Sequence, residues 1–161
     1  MRPAPSGASA TWLRAALWLL LGGWLGAWML FAFVVAPTVF RVLPSTQVAG
    51  QIVAPVLTAL HLYGGGAGIA LAAVAWALAR TGPGLWLPLA MGGLCLVSHF
   101  GVTAQIEAIR GLVFGASGSP ELAARFQLLH RVSMGIYTTV AVAGFALVAI
   151  HARADAGTRG G

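Results

Sequence analysis

The sequence predicts an all-α integral membrane bundle of four antiparallel transmembrane helices, and three observations carry that prediction. Of 161 residues, 59% are hydrophobic and only 7% charged, against about a quarter charged in a typical soluble protein. The apolar residues fall into runs of helix length, and crossing ~30 Å of hydrocarbon at ~1.5 Å per residue needs about 20 residues. The turns between the runs are short and carry arginines. The chain therefore divides into a tail over residues 1–11, a single transmembrane domain over 12–151 and a second tail over 152–161. Both tails read as disordered from their Pro, Ser, Ala or Gly content.

The first span is expected over 17–41. Leu17 to Ala36 holds no charge, and Trp12, Trp18 and Arg41 supply the amphipathic and cationic groups that the headgroup region accepts. A cleaved signal sequence is the competing reading, but this apolar core is too long for one and Ala36 is followed at once by Pro37. Gly22 with Gly26, and Gly23 with Ala27, make overlapping small-xxx-small pairs. These predict a packing face inside the monomer in preference to a homodimer contact. Pro37 and Pro44 are expected to end the helix, with Ser45 or Thr46 capping the next.

The second span, 48–79, contains Pro55, His61 and the cluster Gly64, Gly65, Gly66 and Gly68. The glycines mean either close packing against the first span or room for a planar or bulky ligand beside His61. Arg80, Gly82, Pro83 and Gly84 make a turn short enough for an antiparallel hairpin only. In the third span, 85–113, Cys95, His99 and Thr103 stand four residues apart on one face, which Gly92 and Glu107 continue. Ser119 as N-cap, Pro120 in the first turn and Glu121 at the positive end of the dipole open the fourth span, 120–151. The last two helices should project beyond the bilayer, so that Glu107 and Arg110 meet Arg125 and Arg131 in exposed pairs of ~0–1 kcal/mol each.

The net charge of +6 comes from arginines at helix ends, not from a basic run, so the expected partner is a lipid bilayer and not nucleic acid. Arginines number five on the side of the termini and four on the other. That count predicts a multi-pass protein of the cell membrane with cytoplasmic termini. The lone Cys95 makes no intrachain disulfide. Three acidic residues, with no nucleophile–base set and no phosphate loop, exclude hydrolase and ATPase classes and argue against an enzyme.

Antiparallel connectivity places His61, His99 and His130 in the leaflet opposite the termini. Ionisable groups inside a membrane suggest function, and neutral imidazole is a common metal ligand. The expectation is a haem or copper site, with His61, Cys95, His99 and His130 as the metal-binding set and Arg41 and Arg131 at the rim to pair with propionates or another anion. A small hydrophobic ligand is a further partner class. The contrasting expectation is a structural or accessory membrane protein whose histidines bond a backbone carbonyl or Tyr137.

FAFVVAPTVFRVLP from Phe31 to Pro44, Leu60 and His61, and FQLLHRVS from Phe126 to Ser133 together resemble the transmembrane protein 205-like family. That is a domain of unknown function (4149) of small four-helix membrane proteins. Tyr137 stands where the family commonly carries asparagine. The resemblance, over roughly Leu17 to Ile150, implies four helices, and drug-metal or sulfur-metal handling is associated with eukaryotic members. The layout is more distantly similar to the CopD and HemJ types of four-helix membrane protein, which handle copper and haem.

Overall fold

The computed structural model describes residues 7–115 and 118–157. Four helices cross the length of the bundle: α1 (Gly7–Val42), α2 (Thr46–Ala77), α3 (Pro83–Val113) and α4 (Pro120–Gly157). Each is long and apolar enough to span a membrane. Among the described residues every regular element is helical. Met1 to Ser6 and Thr158 to Gly161, the outer parts of the two expected tails, lie outside the described residues. The inner parts are helical: α1 begins at Gly7 and α4 continues past His151 to Gly157.

Pro37 does not end the first helix. Phe31–Val35 forms a π turn, closed by the Ala36 N–H on the Phe31 carbonyl, and the chain runs on as α-helix from Ala36 to Val42. A proline in a helix lacks a donor and crowds the carbonyl four residues back. The wider turn beforehand relieves both. The helix ends instead at Leu43, which is extended (φ −84°, ψ 150°), the conformation imposed on a residue before proline, here Pro44. Ser45 then caps α2, its Oγ accepting from the Val48 N–H at 3.2 Å. At the far end of α2 the Ala79 N–H bonds the Trp76 carbonyl and the Arg80 N–H the Ala75 carbonyl, both at 2.9 Å. With Ala79 at φ 55°, this is a Schellman cap, and it aims Arg80 back at the bundle. Ser119 caps α4, its Oγ accepting from the Leu122 N–H at 3.3 Å.

The packing face of α1 is its bulky one. Leu17, Leu21, Trp24 and Trp28 recur at helical spacing and are all buried. Gly22 and Gly26 are exposed, and a Cβ added at either would meet nothing within 4 Å. The Gly22–Gly26 pair of the expected small-residue face therefore points out of the monomer, while a Cβ on Gly23, of the other pair, would lie 3.3 Å from the Tyr63 hydroxyl of α2. The glycines that do bring backbones together are in α2, and their main partner is α3 rather than α1. A Cβ on Gly68 would lie 2.5 Å from the Pro88 carbonyl oxygen and 2.9 Å from Gly92 Cα. On Gly65 it would lie 2.7 Å from Leu96, and on Gly64 2.7 Å from the Cys95 sulfur and 3.2 Å from Trp24 Nε1. Lipid offers no hydrophobic drive for helix association, so this close approach is what joins α2 to α3. It also consumes the space the glycines were expected to leave beside His61.

The first turns of α1 and the last turns of α4 meet at one end of the bundle. Asp155 on α4 accepts from Arg80, and from Trp18 Nε1 at 3.0 Å, and lies 3.5 Å from Arg14 Nε. One carboxylate thus ties α1, the α2–α3 turn and α4, which accounts for the extra turns of α4. His151, buried one turn earlier, sits against Gly84 at the start of α3.

Candidate functional site

The opposite end, where the α1–α2 and α3–α4 loops lie, is hollow. A cavity of about 540 Å³ opens there, walled by all four helices. Phe31 and Phe40 come from α1, Val53 and Leu57 from α2, Ile106 from α3, with Phe114 just after it, and Phe126 from α4. Polar groups also line it: Gln47, Thr103, Glu107, Arg110, Gln127 and His130. His130 is exposed and lies parallel to Phe126, with centroids 6.4 Å apart and planes 1° from parallel.

Glu107 and Arg110 do not cross to α4 as expected. They pair within α3 at 2.8 Å, and Arg110 donates to the Gly50 carbonyl of α2 at 3.0 Å. Arg125 reaches α3 but donates to Gln105, at 3.2 Å. The reason is reach: three residues apart on one helix, Glu107 and Arg110 are already neighbours. The pair forms a partition, because a second, shallower hollow of about 500 Å³ lies against it, lined also by Gln51, Pro55 and Thr58.

The inner wall is aromatic. Tyr137 lines the cavity and stacks on Trp28 with centroids 4.7 Å apart and planes 9° from parallel. Its hydroxyl donates to the Trp28 carbonyl, while Trp28 Nε1 donates to the Tyr137 carbonyl at 3.2 Å. This reciprocal clasp between α1 and α4 occupies Tyr137, so it does not serve His61. His61 instead meets Trp28 edge-on at 5.8 Å. It is 0% exposed; its ring nitrogens make no well-aligned hydrogen bond, and the partner within reach is the Leu57 backbone one turn earlier, as the structural expectation for a membrane histidine has it.

The expected site residues are therefore divided between two places. His61 and Cys95 lie in the closed core, Cys95 against Gly64, while His99 is half-buried, edge-on to the exposed Phe100. His130 is on the cavity wall, a lining to which His61 and His99 do not belong. Depth along a helix put the three histidines in one leaflet but left their azimuths open. Among the described residues no group of three or more His, Cys, Asp or Glu side chains stands where it could hold a metal ion. Nor is there room for a haem macrocycle on the glycine face of α2, which α3 fills. Arg41 and Arg131 are exposed, contribute nothing to the cavity lining and make no ion pair among the described residues.

Several buried polar atoms lack a well-aligned hydrogen bond, among them Trp24 Nε1, the His61 nitrogens, Ser98 Oγ, His99 Nδ1 and Thr103 Oγ1, and Thr103 also lines the cavity. Ser98–Thr103 is a π turn, closed by the Ala104 N–H on the His99 carbonyl. Such turns concentrate at functional sites.

Residues 19–112 match the family model described as Domain of unknown function (DUF4149), more than half of the chain. The chain belongs to that family. The DUF4149 match takes in the Phe31–Pro44 segment, Leu60 and His61 but stops before Phe126–Ser133, so the α4 part of the expected resemblance lies outside it. No curated protein and no solved structure matches the chain. With four apolar helices of spanning length, this DUF4149 chain is a multi-pass membrane protein.

Sequence reasoning missed the Asp155 cluster and the cavity. The first had a signal, a lone acid among the arginines on its side of the membrane. The second had none, because a void is made of contacts that do not form.

Proposed function

We propose that this protein binds a small amphiphilic molecule in the loop-end cavity, within the leaflet opposite its termini. The cavity carries the reading: about 540 Å³ falls in the range of ligand pockets, ~300–1,000 Å³, which are typically apolar walls with a few placed polar groups. Cytoplasmic termini, from the arginine count, put it in the outward leaflet. Gly50 offers the test, since it lines the cavity and a Cβ there meets nothing within 4 Å. Organic extracts of purified wild type should contain an amphiphile near one per chain, absent from Gly50→Leu at an unchanged Tm. Identical extracts from the two proteins would refute the reading.

A second reading is favoured by the buried imidazole of His61, bonded at most to the Leu57 backbone and with a ring nitrogen to spare: a bare transition ion, copper among them, held by His61 together with His99. The filled glycine face speaks against haem there. Titration with copper(I) should show one tight site that His61→Ala removes, and no difference between the two proteins would sink this alternative.

A further inference from the structure

We infer that the cavity takes a neutral, planar ring molecule bearing hydrogen-bond-accepting oxygens, the chemistry of quinones. The inference rests on the amphiphile-binding reading and names its class.

Charge comes first. Arg110 is the cation of the lining, and its guanidinium is already held by Glu107 and by the Gly50 carbonyl. An anionic head, such as a lipid phosphate, would have to break that pair, while a neutral head leaves it intact. Shape comes next. Phe31, Tyr137, Phe126 and His130 all contribute to the lining, and aromatic rings gain most from another ring, stacked or edge-on. Size agrees with both, because the volume suits a ring with a short tail and not a two-chain lipid.

The deciding group is Thr103. It is 6% exposed and belongs to the cavity lining; its hydroxyl oxygen, without a partner, lies just beneath that surface, so a rotation of the side chain is what brings it to a bound molecule. Helix threonines normally satisfy themselves, as Thr138 and Thr139 do by donating to the carbonyls of Met134 and Gly135, each at 2.9 Å. Thr103 closes the π turn and makes no such bond. A buried hydroxyl without a partner is destabilising, and an accepting oxygen on a bound molecule removes that cost. The amide of Gln127 and the imidazole of His130, in the same lining, can also donate to such an oxygen.

The test uses the full chain in nanodiscs of one synthetic lipid, with equilibrium binding of three probes: 2-methyl-1,4-naphthoquinone, 1-decanol and decyl phosphate. The naphthoquinone is expected to bind saturably and tightest, with no binding to Gly50→Leu. Affinity should fall about three- to tenfold in Thr103→Val, the loss of one hydrogen bond, and return in Thr103→Ser, at similar Tm throughout. Tightest binding of decanol or decyl phosphate, sensitive to Gly50→Leu, would overturn the quinone class and leave the cavity reading standing. Binding of any probe that is indifferent to Gly50→Leu would overturn both.

Discussion

At the end that carries the termini, Asp155 takes Arg80, Trp18 and Arg14 from different parts of the chain, and behind it the glycines of α2 let α3 approach to backbone contact. At the loop end Glu107 and Arg110 satisfy each other within one helix, and the four helices stand apart around a cavity. A charge that must cross between helices draws them together; a charge already paired three residues away leaves them free to diverge. One end is therefore built for cohesion and the other for occupancy.

That contrast can be broken most severely at Gly68. Gly68→Leu would drive a side chain into the Pro88 carbonyl, 2.5 Å from the added Cβ, and is expected to cost about 3 kcal/mol or prevent folding. Thermal unfolding in detergent reads it, and an unchanged Tm would mean that α2 and α3 do not touch there. Next is Asp155→Asn, which strands Arg80 and Arg14 near the bundle end. A loss of about 1–3 kcal/mol is expected, with increased proteolysis near Arg80, whereas wild-type stability would show that the terminal end is held by packing alone. A smaller loss, about 1 kcal/mol, is expected for Tyr137→Phe, which removes the hydroxyl bond to Trp28 while keeping the stacked ring. Since it leaves the cavity wall apolar, amphiphile retention should survive it. The smallest effect belongs to Gly26→Leu: no change in Tm, because Gly26 faces open space. A drop in Tm together with a smaller particle by light scattering would instead reveal a second copy on that face.

The spans were legible because uncharged length is measured against bilayer thickness, a constraint that tolerates few alternatives. The caps at Ser45 and Ser119 were legible for a similar reason: a hydroxyl before a helix start has one obvious use. Orientation within the bundle was harder. In lipid the inward and outward faces of α1 are both apolar, so Gly22 and Gly26 competed on equal terms with Leu17, Leu21, Trp24 and Trp28 for the packing face, and bulk won. His130 was placed at the right end of the bundle but on the cavity wall rather than with His61. Each residue turns a helix by about 100°, and sequence spacing cannot say which azimuth a separate helix presents. Pro37 misled for a local reason, the π turn at Phe31–Val35 that absorbs it.

The two π turns, Phe31–Val35 in α1 and Ser98–Thr103 in α3, amount to one residue inserted into an otherwise regular rod. An inserted residue resets the phase of everything after it by about 100°. In α3 the residues before the turn, Pro88, Gly92 and Cys95, are in phase to pack on α2. Thr103 at its end, and Ile106, Glu107 and Arg110 after it, are in phase to line the cavity. One helix thereby serves two azimuths without a break in its axis. Deleting Gly101 would return the turn to the α-helical repeat and swing the Glu107–Arg110 pair out of the cavity, while the sequence up to Val97 kept its contacts, so that a single-residue deletion would separate the hollow half of the molecule from the solid one.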